Sequence, residues 1–210
     1  MAEPTTSLDD QVRAADPDRW LSSRFVGDPQ ARADLIALYA FEAELMSIPT
    51  RVTQPVLAEM RYAWWREQMD GVFAGLARKG HPVLEALTDL VARRRLDRAP
   101  FEALIDAHID RVHGEPHDLN AFYVGPMQTA VRLLAGAGHD EVVADAGRVW
   151  GLSQVGRAED AAALRKAANA GLRRLPPVAF PAVAHAALRS DGPEPVKRPK
   201  LVWATLRGQI

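Results

Sequence analysis

The sequence predicts an all-α protein, and three observations predict it. Apolar residues recur at spacings of three and four almost throughout the chain. Prolines stand at 17, 29, 82 and 100, where a first helical turn has no N–H to lose. No β-branched run is bounded by hairpin-turn residues. Taken in order, the periodicity and punctuation place helices over 17–25, 29–46, 54–76, 82–95, 100–112, 119–135, 140–155, 159–173, 181–188 and 195–206. Asp16, Asp28, His81 and Ala99 fall at the N-cap positions, and Gly27, Gly80, Gly138 and Gly192 fall in the turns. Arg174-Leu175-Pro176-Pro177 stops a helix, because neither proline continues the hydrogen-bond ladder. The 54–76 segment has the clearest stripe, Ala58, Tyr62, Trp65, Met69, Val72 and Leu76, widened by Val56, Met60 and Trp64. Such a helix belongs inside a bundle. The expected organisation is an N-terminal extension over 1–16, one helical domain over 17–190, and a proline-rich linker with a basic amphipathic helix over 191–210.

Composition excludes several classes of function. With 26 basic and 27 acidic residues the net charge is -1, so no bulk field draws the chain to nucleic acid, and none is expected as a partner. The absence of cysteine excludes a disulfide framework, an iron–sulfur site and a thiolate nucleophile. Glu3, Asp9, Asp10 and Asp16 interrupt an N-terminus that lacks the apolar core of a secretory signal, and no apolar run reaches the length of a membrane span. A cytoplasmic protein with at most peripheral contact at an inner membrane is expected. No nucleophile elbow, phosphate loop or dinucleotide fingerprint occurs, and no cofactor is expected.

The remaining polar groups have two readings each. Asp106 and Asp110 are four apart, with Glu102 and His113 a turn away, which makes a metal site geometrically possible; a solvated acidic face is the simpler reading. Pro116 breaks the His113 and His117 pair, and His108, His139 and His185 are isolated, so each is read as a surface or hydrogen-bonded histidine. Arg93, Arg94, Arg95 and Arg98 either complement a helix dipole or form a patch for anionic lipid or an acidic partner. In the tail, Lys197, Arg198, Lys200 and Arg207 are interleaved with Leu201, Val202, Trp203, Leu206 and Ile210. That helix can lie on a membrane, dock on a partner or fold onto its own bundle.

Leu38-Tyr39-Ala40-Phe41 resembles the segment that precedes the first aspartate-rich motif of the squalene and phytoene synthases. Trp64-Trp65-Arg66-Glu67 is similar to the next helix of that family, His81-Pro82-Val83-Leu84 to a further segment, and 146–157 to the helix that leads into the second motif. The likeness spans about residues 19–175 and implies the isoprenoid-synthase type of helical bundle. In that family two helices present aspartates four apart, which hold magnesium against a leaving diphosphate. On this alignment the first motif falls at Met46, Ser47 and Thr50, and the second at Ala158 and Ala162, after a matched Arg157. None of the five is acidic.

The resemblance is closer to a noncatalytic branch, the phytoene-synthase-like assembly factors of respiratory complex I. The acidic segment over 109–116 and the ending Leu201-Val202-Trp203-Ala204-Thr205-Leu206-Arg207-Gly208 are similar to features of that branch. The branch implies a binding role with peripheral-arm subunits of complex I as protein partners. Tyr39, Phe41, Arg61, Trp64, Trp65 and Arg157 are then candidates to line a cavity or meet a partner, and Lys197, Arg198, Lys200, Trp203 and Arg207 to dock the tail. Two alternatives stay open. One is a prenyltransferase with displaced carboxylates, Asp106 with Asp110 or Glu159 with Asp160; the other is an isoprenoid or lipid carrier.

Overall fold

A computed structural model describes residues 7–76, 78–188 and 193–210. Among these residues there are ten α-helices, with no strand. They are α1 (Leu8–Ala15), α2 (Pro17–Ser23), α3 (Pro29–Arg51), α4 (Pro55–Phe73), α5 (Pro82–Arg94), α6 (Ala99–Val112), α7 (Gly125–Ala135), α8 (Asp140–Gln154), α9 (Ala158–Leu172) and α10 (Glu194–Arg207). One continuous core joins α1 to α8 and the segment 179–188, and Val149, Leu152, Ala161 and Ala168 form a small satellite between α8 and α9. Gly192 and the linker residues 189–192 lie outside the described residues, as do residues 1–6 of the expected extension.

Local chemistry set most helix ends. The Asp16 and Asp28 carboxylates accept backbone N–H groups of Arg19 and Ala31, both at 2.9 Å, and His81 Nδ1 accepts from Leu84. Ala99 is instead the first helical residue of α6, whose cap is Arg98, with no side-chain hydrogen bond. α4 ends at Phe73, because Gly75 takes φ +74 and Leu76 N–H turns back to the Gly71 carbonyl. Leu76, expected on the buried stripe, is therefore exposed.

Three segments differ from the sequence expectation. Residues 8–15 are helical rather than an extension: Ser7 caps α1, Val12 is fully buried, and Gln11 donates to Glu44 of α3 at 2.6 Å. α3 runs past Met46 and through Pro49. Proline has no N–H for the Leu45 carbonyl four residues back, and the Tyr62 hydroxyl of α4 donates to it instead, at 3.2 Å. The 181–188 region is not α-helical. Prolines 176, 177 and 181 restrict it to short 3₁₀ turns over Pro177–Ala182 and Ala184–Ala187, with i→i+3 bonds such as Ala186 N–H to Val183 O at 2.9–3.0 Å.

α10 lies on the 3₁₀ segment and α2. Leu201 and Ala204 are buried, and Lys197, expected on the docking face of the tail, is buried too. Its ammonium donates to Asp18 at 2.6 Å. The face left outward carries Val202, Trp203 and Leu206, with Arg207 stacked on Trp203 at 4.1 Å and Arg198 paired to Glu194; Lys200 is exposed. Among the described residues no helix is long and apolar enough to cross a membrane.

Candidate functional site

A cavity of about 270 Å³ opens between α2, α3, α6, α8 and a π-helical turn over Asn120–Val124. α2 and its N-cap bring Asp16, Asp18 and Arg19 to it, α3 brings Glu42, Ala43 and Met46, α6 brings Leu104 and His108, α8 brings Trp150 and Gln154, and α10 brings Lys197. The π turn adds Phe122 and Tyr123, its wide pitch pressing against α8. That contact needs glycine: a Cβ on Gly147 would lie 2.8 Å from Val124 Cα, and one on Gly151 would lie 2.6 Å from the Tyr123 ring. Two glycines four apart on one helix face thus seat the turn.

The polar groups at this cavity are buried or half-buried and mostly paired. Arg19 donates to both Asp16 and Glu42, and its guanidinium lies 4.7 Å from the Tyr39 ring. Burial alone would lower the Arg19 pKa, but the two carboxylates outweigh it and raise it. Burial raises the Glu42 carboxyl despite Arg19, and raises Asp18 despite Lys197. Asp16 is lowered: the charge and hydrogen bonds of Arg19 exceed its desolvation. His108 stacks on Tyr62 at 5.1 Å, and burial, with Arg111 and His117 adding repulsion, holds its pKa down at about 3. His185, beneath Trp150, is held at about 3 by burial and by Arg19. Glu42 Oε1, His108 Nε2, His185 Nδ1 and the Tyr39 hydroxyl are buried without a hydrogen-bond partner among the described residues.

The residues singled out in the sequence separate on this geometry. Met46 lines the cavity mouth, but Ser47 faces an outer groove and Thr50 is exposed, each bonded to a carbonyl of its own helix. Ala158 and Ala162 are exposed on α9. Arg157, expected at the cavity, is exposed and pairs with Asp160 at 2.7 Å. Tyr39 is buried under Arg19, whereas Phe41 is packed between Trp65 and Phe101. Arg61, Trp64 and Trp65 do not reach the central cavity; they line the outer groove of about 700 Å³ between α3 and α4. Asp106 and Asp110 face a separate surface hollow with Glu115, and Asp106 pairs with Arg66. Arg93 and Arg94 are spent on the buried Asp34 carboxylate at 2.9 and 2.7 Å, which leaves Arg95 as the left-handed C-cap of α5.

The residues present do not fit the magnesium cluster that this kind of bundle implies. Among the described residues no three of His, Asp and Glu come together as metal ligands. The carboxylates that do reach the cavity, Asp16, Asp18 and Glu42, are each already matched to Arg19 or Lys197. Sequence reasoning had passed over all five of these residues as a cluster. The available signal was Glu42, an acid directly after the apolar run from Leu35 to Phe41 and on the same helix face as Leu38 and Leu45.

An all-α bundle of this kind, without strands among the described residues, is the isoprenoid-synthase type of fold. The chain belongs to the squalene/phytoene synthase family, whose model matches residues 12–123, just over half of its length. No curated protein matches it.

Proposed function

We propose that this chain is a noncatalytic member of its family, acting by binding as an assembly factor for respiratory complex I, with peripheral-arm subunits as clients at the cytoplasmic face of the inner membrane. One observation carries the noncatalytic reading: the motif positions hold Met46, Ser47, Thr50, Ala158 and Ala162, and the carboxylates beside the cavity are paired with Arg19 or Lys197. Ionising a prenyl diphosphate leaves charge that needs a metal or free cations to accept it. Against the displaced pairs, Asp106 with Asp110 and Glu159 with Asp160 are exposed and do not line the cavity. The client assignment is supported by the likeness of 109–116 and of the tail to the assembly-factor branch.

Purified protein incubated with magnesium and farnesyl or geranylgeranyl diphosphate is expected to release no pyrophosphate; turnover would refute the noncatalytic reading. Affinity capture from the native host, scored for complex I subunits, tests the client. A second reading, carriage of a small apolar ligand, is favoured by the cavity itself, about 270 Å³ walled in part by Leu104, Phe122 and Trp150.

A further inference from the structure

We propose that the outer groove between α3 and α4 docks an acidic amphipathic helix of a protein partner. Its floor is apolar and continuous with the core, where Ile48 and Trp65 are each 4% exposed. Its α4 wall is apolar and open: Met60 is 63% exposed, Leu57 is exposed too, and Trp64 is half-buried. Leu57, Met60 and Trp64 step by three and four, so they form one row on the flank of α4, off the stripe that faces the core. Large apolar side chains left open side by side mark a contact surface. Methionine, tryptophan and arginine, all present in this lining, are the types enriched where proteins meet.

Shape and charge choose the occupant. A trough of about 700 Å³ with a buried floor is out of reach of a flat bilayer, and helical walls offer no strand edge for an extended peptide. A helix laid lengthwise reaches the floor with anchors at i, i+3 or i+4, and i+7. Among the lining residues Glu44 is the one acid, and it already holds Gln11 at 2.6 Å and Arg51 at 3.6 Å. Arg61, also in the lining, is exposed and forms no ion pair among the described residues. Arg78 stands over Trp64 at 5.8 Å. Guanidinium groups stay charged at any working pH, so this field does not depend on titration. The three are strung out rather than clustered: Arg51 closes α3 just before α4 begins, and Trp64 lies nine residues into α4, about 14 Å along at 1.5 Å per residue. One anionic head group does not span that row, whereas carboxylates on successive turns of a helix do. The groove thus specifies a kind of partner surface, resting on the proposed function only in taking the chain to act by binding protein.

The test titrates the full chain with three fluorescent peptides by anisotropy. One is a stapled helix with leucines at i, i+3, i+4 and i+7 flanked by glutamates, one carries lysines in place of the glutamates, and one is the glutamate peptide scrambled. The glutamate helix is expected to bind about tenfold or more above the other two, and to weaken as salt is raised. Met60→Glu and Arg61→Glu alter exposed helical side chains and keep the fold, checked by circular dichroism. The first weakens the glutamate helix about tenfold or more, and the second turns the preference toward the lysine helix. Equal binding of the lysine or scrambled peptide, no binding of any peptide, or binding indifferent to both substitutions overturns the inference. A parent dimer that Met60→Glu disperses also overturns it, by giving the groove to a second copy. Affinity capture from the native host separates this result from the client assignment. Complex I subunits held equally by the parent and by Met60→Glu defeat the groove and keep the client; none held by the parent, with the glutamate helix bound tightly, defeats the client and keeps the groove.

Discussion

The two walls of the cavity are held by different physics. On the side of α2, α3 and α6 the wall is buried charge and imidazole: Arg19 between Asp16 and Glu42, with His108 on Tyr62. On the side of α8 and the π turn it is close contact, with Gly147 and Gly151 admitting the 120–124 backbone and the Tyr123 ring. The first wall depends on protonation and pairing; the second depends on the volume of single carbons. One cavity can therefore be opened in two ways, and the means of opening tells which wall gave.

The largest effect is expected on the charged wall. Arg19→Met strands the buried Glu42 and the half-buried Asp16 without their cation; stranding a fully buried partner costs about 3–5 kcal/mol, and a loss of up to that size is expected, read as a lower urea midpoint. A midpoint within error of the parent would mean that solvent already reaches the pair.

Acid tests the same wall. His108 and His185 are neutral in the folded protein because burial lowers each to about 3, while in the unfolded chain they protonate near 6.5. Their contribution is complete above about pH 6.5 and is lost as pH falls toward about 3; by pH 5 each has cost about 2 kcal/mol. Glu42 and Asp18, raised by burial, act in the opposite sense, gaining stability as they protonate. Urea midpoints at pH 7, 6 and 5 should fall steadily, and a flat profile would show that the imidazoles protonate without unfolding.

On the contact wall, Gly147→Ala places a carbon 2.8 Å from the Val124 Cα, and the turn must shift. A loss of about 1–3 kcal/mol is expected, independent of pH between 5 and 7. Gly27→Ala is the control, since no atom lies within 4 Å of its added carbon. The smallest effect belongs to Arg157→Ala, which removes an ion pair whose side chains are 60% and 54% exposed. Stability should change by less than about 0.5 kcal/mol, and a larger loss would return Arg157 to the functional residues.

Features that depend on neighbours in sequence were legible. Asp16, Asp28 and His81 cap their helices because a cap needs only the next three residues, and the α4 stripe from Ala58 to Val72 is buried as its spacing implies. The α1 helix was legible in principle: Ser7 three residues before Asp10 is an N-terminal signature, overlooked beside the acidic composition of that segment. The cavity was not legible. His108 meets Tyr62 across 46 positions, and Lys197 meets Asp18 across 179. Of the adjacent tryptophans, Trp65 packs into the core against Phe41 while Trp64 faces the outer groove, a split that adjacency in sequence does not assign.

By itself the sequence determined the all-helical class, most helix boundaries and the absence of acids at Met46, Ser47, Thr50, Ala158 and Ala162. These follow from residue type and short-range spacing, which no packing can alter. Only the tertiary structure decided which polar groups surround the central space, that Arg157 faces water, and that the tail lysine is buried. Burial and partner choice are properties of where distant helices cross, so Glu42 and His108 acquire their unpartnered buried atoms only once α3, α4 and α6 have packed.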